Sequence, residues 1–252
     1  MKLKCFRNRT ELSQAAAVYG AELIRKAIRE QGKVRVIFAT AASQLEFLEF
    51  LVRMQDIAWE VVEVFHLDEY VGLKSSFPGS FRQMLREHLL EKTAVQKFHL
   101  IEGDAPNPLE AAQAVGRELA SARVDVAFLG IGENGHLAFN DPPADFDTVE
   151  PYIVVALDRA CREQQVAEGW FLSLDDVPTH AISMSIRQIL NSKEIVVMVP
   201  GKRKAQAVVT CFEGEIGPNA PASALRWHSS TTVFLDKESA SLLDPNSMES
   251  CS

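Results

Sequence analysis

Three short runs in this chain are almost wholly apolar: Val34-Arg-Val-Ile-Phe-Ala39, Val124-Asp-Val-Ala-Phe-Leu129 and Glu194-Ile-Val-Val-Met-Val199. A strand with one wet face alternates apolar and polar residues. These runs do not, so both of their faces must be covered. Segments of helical period lie between them. Residues 11–31 place Leu12, Ala16, Tyr19, Leu23, Ile24 and Ile28 on one stripe, and Gly32 ends it. Further helices are read at 44–54, 80–90, 106–122 and 205–211, and further strands at 59–67, 152–157, 180–186 and 231–235. Strands alternating with helices imply an α/β chain with a mostly parallel sheet between helical layers. Its 252 residues suit one domain, and there is no internal repeat or long linker. The pattern loosens over 145–180, a candidate lid, and residues 244–252 read as a frayed tail.

The central run opens into Gly130-Ile-Gly-Glu-Asn-Gly-His-Leu-Ala-Phe-Asn-Asp-Pro142. Open α/β sheets put their chemistry where a buried strand ends in such a loop. Gly132 and Gly135 let the backbone come close to a ligand, and Glu133, Asn134, His136, Asn140 and Asp141 surround an imidazole with amides and carboxyls. A histidine in a loop is often only a surface residue, but the context favours function. Thr40-Ala-Ala-Ser43 follows the first run; a hydroxyl here serves equally as helix cap or phosphate ligand. Asp68 and Glu69 end the strand at 59–67. They are either a solvated edge or, for Asp68, a general base at the crevice. Lys202-Arg-Lys204 sits in the first turn of a helix, where the macrodipole disfavours cations; a bound anion at Lys204 compensates, unless the side chains simply reach into water.

Net charge is −8 and the pI is near 5.3, which argues against nucleic acid and anionic membranes as partners. Local positive charge still admits an anionic small molecule, and a homo-oligomer is compatible with the sequence. Cys5, Cys161, Cys211 and Cys251 show neither Cys-x-x-Cys spacing nor paired histidines, so they read as free thiols rather than a zinc site. The first residues lack a signal-peptide core and no run approaches a membrane span, which makes the cytoplasm the expected compartment.

Four blocks, taken together, carry a family resemblance: Leu67-Asp-Glu-Tyr-Val-Gly-Leu73, Gly130 to Pro142, Val199-Pro-Gly-Lys-Arg-Lys-Ala205 and Pro221-Ala-Ser-Ala-Leu-Arg-Trp-His228. In this order they resemble the glucosamine-6-phosphate deaminase/isomerase family, over most of residues 10–243. The resemblance implies a modified Rossmann-like, three-layer α/β/α fold. It also implies conversion of glucosamine 6-phosphate and water to fructose 6-phosphate and ammonia without a cofactor. By motif position, Asp68 resembles the base that moves a proton between C2 and C1, His136 the residue that opens the sugar ring, and Lys204 a phosphate ligand. The chain departs from the family where an Asp is usual at Asn134, where a Glu is usual at Asp141, and in a glycine-free first phosphate loop, Ala39 to Gln44. Arg162 is the candidate for a further phosphate-binding arginine. Three other readings stay open. They are a galactosamine-6-phosphate deaminase, a 6-phosphogluconolactonase, and a sugar-phosphate binder without turnover.

Overall fold

A computed structural model describes residues 1–247. Its strands are β1 (Lys2–Phe6), β2 (Val34–Phe38), β3 (Val62–His66), β4 (Asp68–Tyr70), β5 (Lys97–His99), β6 (Val126–Leu129), β7 (Tyr152–Ala156), β8 (His180–Met184), β9 (Glu194–Val199) and β10 (Thr231–Asp236). Its helices are α1 (Arg9–Gln31), α2 (Ala42–Leu51), α3 (Phe81–His88), α4 (Pro108–Ala120), α5 (Arg159–Ala167), α6 (Ile186–Leu190) and α7 (Ala205–Phe212).

Seven strands form one parallel sheet in the order β1-β10-β9-β6-β2-β3-β5. Successive side chains of a strand point to opposite faces, so each apolar run feeds two cores. Val36, Phe38, Phe128 and Met198 pack under α1 and α2 with Leu12, Ala16, Ile24, Phe47 and Leu48. Ile37, Ala127, Leu129 and Val197 pack on the other face with Ala112 and Val115 of α4 and Val208 of α7. This is the expected α/β fold with a mostly parallel sheet between helical layers.

A second, antiparallel sheet, β4-β8-β7, stands beside the first. The sequence pattern makes Asp68-Glu69-Tyr70 the acidic end of one strand. In the structure Leu67 is instead a junction: its N–H donates to Phe38 O of the large sheet at 3.2 Å and its carbonyl accepts from Met184 N of the small one at 3.0 Å. The chain leaves one sheet and enters the other there. Residues 145–180 supply β7, α5 and a turn at Leu174–Asp176. A third cluster, containing Tyr70, Phe81, Phe139, Cys161 and Phe171, ties α5 and α3 to the small sheet.

Several sequence expectations need correction. The strand expected from residue 59 begins with a 3-10 turn, Trp59–Val61. Helix α2 starts at Ala42 behind Ala41, without a side-chain cap, so Ser43 is not the N-cap. After β10 the chain makes turns, and Asp236 accepts from Ser239 N at 2.8 Å and from Gly201 N at 2.9 Å. Cys161 and Cys211 are buried and free, as expected, but Cys5 is disulfide-bonded. Local Cys spacing carries no information about partners distant in sequence. Cys251 and most of the expected frayed tail lie outside the described residues; Pro245–Ser247 form a 3-10 turn. Among the described residues no helix is long and apolar enough to cross a membrane.

Candidate active site

From β2 the chain runs outward to β3 and β5; from β6 it runs the other way, to β9 and β10. Strand order therefore reverses between β2 and β6, and the carboxyl ends of the strands at such a point leave a crevice. Thr40 and Ser43 enter it after β2, Leu67 and Asp68 after β3, Gly130 to Gly132 after β6, and Lys204 after β9. Gln164, Gln165 and Glu168 of α5 close it from the side.

Asp68 and Glu69 are consecutive on β4 and so face opposite ways. Asp68 lines the crevice and is 5% exposed. Burial, and then the charge of Glu69, push its carboxyl well above the usual range. Glu69 turns into the protein, where it accepts from Ser80 Oγ at 2.8 Å and from the backbone N–H groups of Tyr70, Phe81 and Arg82. Arg82 Nε completes its shell at 3.4 Å. One acid is thus exposed to a ligand while its neighbour holds the start of α3.

The glycine loop folds back on itself through Gly132 N–H to His136 O, 3.0 Å, and Gly135 N–H to Gly132 O, 3.1 Å. Gly135 takes φ 85°, and a Cβ on Gly132 would run into the His136 ring, so neither position admits a side chain easily. His136 lies in the crevice wall, 8% exposed. Its Nδ1 is 3.0 Å from Asp141 Oδ1, close enough to pair, although the ring N–H is not aimed along that oxygen. Burial pushes the Asp141 carboxyl up. The His136 contact, with help from Asp158 N–H and the Asn134 amide, outweighs burial and holds it below the ordinary value.

Asn134 makes no hydrogen bond to the imidazole. Its Nδ2 donates to Asp141 Oδ1 at 3.0 Å and to Asp158 Oδ2 at 3.1 Å, and its Oδ1 accepts from His136 N–H at 3.0 Å. The amide is a neutral bridge between two carboxylates. Asn140 is structural: its amide donates to Leu137 O, Ser183 Oγ and Met184 O.

At the other end, Thr40 is buried with its hydroxyl 3.4 Å from His66 Nε2, and Ser43 Oγ accepts from Gln44 Nε2 at 3.1 Å. His66 is buried and its pKa is driven down to about 3, by burial and then by Arg82, so it is neutral. Lys202–Lys204 form a 3-10 turn leading into α7. Arg203 pairs with Glu133 at 2.9 Å. Lys204 is 8% exposed in the crevice wall, and burial pulls its pKa down. Arg162 is not brought to the crevice: its Nη2 donates to Leu174 O at 2.5 Å and Val177 O at 3.1 Å.

Helix α5 brings in residues that no sequence motif singles out. Gln165 is 4% exposed and lines the crevice with its Oε1 unpaired. Asp158 caps the helix at Cys161 N–H and joins the Asn134 bridge. Burial, and then the Asp141 and Asp158 carboxylates, push the Cys161 thiol far up. These residues stand 22 or more positions beyond His136, so nothing local announces them.

A parallel sheet with a buried acid, a histidine–carboxylate pair and a buried lysine at its carboxyl edge defines an α/β enzyme built for acid–base chemistry. The chain belongs to the family described as glucosamine-6-phosphate isomerases/6-phosphogluconolactonase, whose profile matches residues 7–234. It is 37% identical to a glucosamine-6-phosphate deaminase of Listeria monocytogenes, across 93% of this chain and 98% of that protein. A glucosamine-6-phosphate deaminase of Streptococcus pneumoniae is 34% identical, across 90% and 96%. Among solved structures, a monomeric glucosamine-6-phosphate deaminase superposes with TM-score 0.89 at 32% identity, covering 96% of this chain and all of that one. A 6-phosphogluconolactonase of Shewanella baltica reaches 0.77 at 21% identity, over 94% and 97%, a likeness of fold.

Proposed function

We propose that this protein is an amino-sugar phosphate deaminase–isomerase that converts glucosamine 6-phosphate and water to fructose 6-phosphate and ammonia. The observation that carries this reading is the pairing, across one crevice, of a solvent-poor acid with raised proton affinity, Asp68, and the His136–Asp141 couple. The deaminase relatives support it over the lactonases, which share fold at lower identity.

Lys204 holds the phosphate, helped by the Thr40 and Ser43 hydroxyls and nearby backbone N–H groups. His136, steadied by Asp141, moves a proton between O5 and O1 as the ring opens. Asp68 takes the C2 proton of the open-chain aldehyde and returns it to C1. With an N–H proton of the amine passing to O1 at the same time, the C2 amine becomes an imine and the C1 carbonyl an alcohol. Water adds at C2 and ammonia leaves. A base must be ionised to act, and one with raised proton affinity matches a weakly acidic carbon better than an ordinary aspartate.

Ammonia release, coupled to glutamate dehydrogenase, tests the reaction on glucosamine 6-phosphate and galactosamine 6-phosphate, with 6-phosphogluconolactone hydrolysis run beside it. Ammonia from an amino sugar supports the proposal and fixes the epimer. Lactone hydrolysis without ammonia sinks it, and binding without turnover points to a sugar-phosphate sensor. Lys204→Ala is expected to raise KM about 10- to 100-fold with a smaller effect on kcat, since a charge-assisted hydrogen bond is worth about 1.5–3 kcal/mol. Initial-rate kinetics on both proteins check this; an unchanged KM removes Lys204 from the phosphate site.

A further inference from the structure

We propose that His136, Asp141 and Cys161 form an inhibitory site for a thiophilic divalent metal ion, zinc foremost, built into the acid–base pair itself. Their ligand atoms, an imidazole nitrogen, a carboxylate oxygen and a thiol sulfur, all lie within 4.8 Å of one another. A second observation points to the same ligand. His136 Nδ1 is buried and has no hydrogen-bond partner, on a residue that is 8% exposed. It stands 3.0 Å from Asp141 Oδ1, and two such ligands on one tetrahedral zinc lie about 3.3 Å apart. Bringing the sulfur in takes a shift of about an ångström, given a Zn–S bond of about 2.3 Å.

The donor set selects the ion. One sulfur, one imidazole and one carboxylate suit zinc, whereas calcium and magnesium take oxygen shells. A support shell for the carboxylate is already in place. Asn134 Nδ2 holds Asp141 Oδ1 at 3.0 Å, and Asp158 N–H holds Oδ2 at 3.0 Å. Such outer contacts orient metal ligands and raise affinity. The fourth position is left to a water from the crevice.

Binding replaces the thiol proton, which passes to solvent, with a sulfur–metal bond; no electron moves. A metal on Nδ1 takes the lone pair and the carboxylate that His136 needs for proton transfer. The inhibition arm of this inference rests on the proposed deaminase activity, but the binding arm does not.

Cobalt(II) is the direct probe. Added to chelator-stripped protein, it should give a thiolate-to-cobalt charge-transfer band in the near ultraviolet that zinc erases and Cys161→Ala abolishes. Zinc should inhibit turnover of the wild type. Cys161→Ala, outside the acid–base set, should keep its metal-free turnover while the half-inhibiting zinc concentration rises by at least about tenfold. Circular dichroism checks the fold, and Cys161→Ser replaces the alanine variant if that one misfolds. Absence of the cobalt band in the wild type overturns the proposal, as does equal zinc sensitivity in the wild type and the folded variant. If the protein releases no ammonia from any amino-sugar phosphate, the cobalt band still decides the site by itself.

Discussion

Asp68→Asn is expected to lower turnover about 10²- to 10⁴-fold while making the protein harder to melt. The loss follows from removing the general base, since an amide cannot take the C2 proton. The gain follows from the cost of keeping that base ionised. Burial and then the Glu69 charge raise the folded-state pKa of Asp68 above the 3.8 of a free aspartate. Below pH 3.8 the acid is neutral both folded and unfolded, and the fold bears no penalty. As pH climbs through the raised folded value, the unfolded chain ionises freely and the folded chain does so against its surroundings, so stability falls. Asparagine never ionises and is nearly the same size. The difference in Tm between variant and wild type should therefore be positive at pH 8 and shrink toward zero near pH 4. Calorimetry at the two pH values, beside the ammonia assay, reads both effects. Wild-type turnover in the variant would remove Asp68 from catalysis. A Tm gain of the same size at both pH values would show that shape, not charge, is responsible.

The parallel sheet was legible because β2, β6 and β9 are buried on both faces, and a short unbroken apolar run fits a covered parallel strand better than a half-wet one. The small sheet was not. β4 has three residues, two of them acids, and its partner β8 is more than 100 positions away, so neither period nor propensity marks it. The glycine loop was legible for the opposite reason: one contiguous segment supplies His136, Asn134 and Asp141. Helix α5 shows where local reading stops. Cys161, Gln164, Gln165 and Glu168 are spaced 3, 4 and 7 apart and form its inward stripe, while Arg162 lies off that stripe and reaches the 174–177 turn instead. Charge alone does not tell which face of a helix an arginine occupies. Ser43 shows a milder version. Its hydroxyl suits a cap, but α2 begins one residue earlier, and the hydroxyl is left at the crevice.

The second large effect is expected at Asn134→Asp, a change of one amide to a carboxylate. Here it removes the donor that serves Asp141 and Asp158 together and sets a third negative group about 3 Å from both. Like charges at that range cannot all ionise, so at least one carboxyl must hold a proton and the Asp141 pKa must rise. Each carboxylate left without its donor costs about 1–3 kcal/mol, which should appear as a lower Tm at neutral pH. Turnover should fall as well, by about tenfold or more, because a protonated Asp141 no longer supports charge on His136. The informative variant is the exchange, Asn134→Asp with Asp158→Asn. It returns an amide to the bridge and brings the cluster back from three carboxyl groups to two, and an asparagine at 158 can still cap Cys161 N–H at the start of α5. Recovery of Tm and turnover in the exchange relative to the single variant would show that the cluster is set by charge count. No recovery would mean that the amide is needed at 134 itself, where its Nδ2 donates to Asp141 Oδ1. A single variant that melts and turns over like the wild type would mean that the bridge contributes to neither. Differential scanning calorimetry and the ammonia assay on the three variants separate these cases.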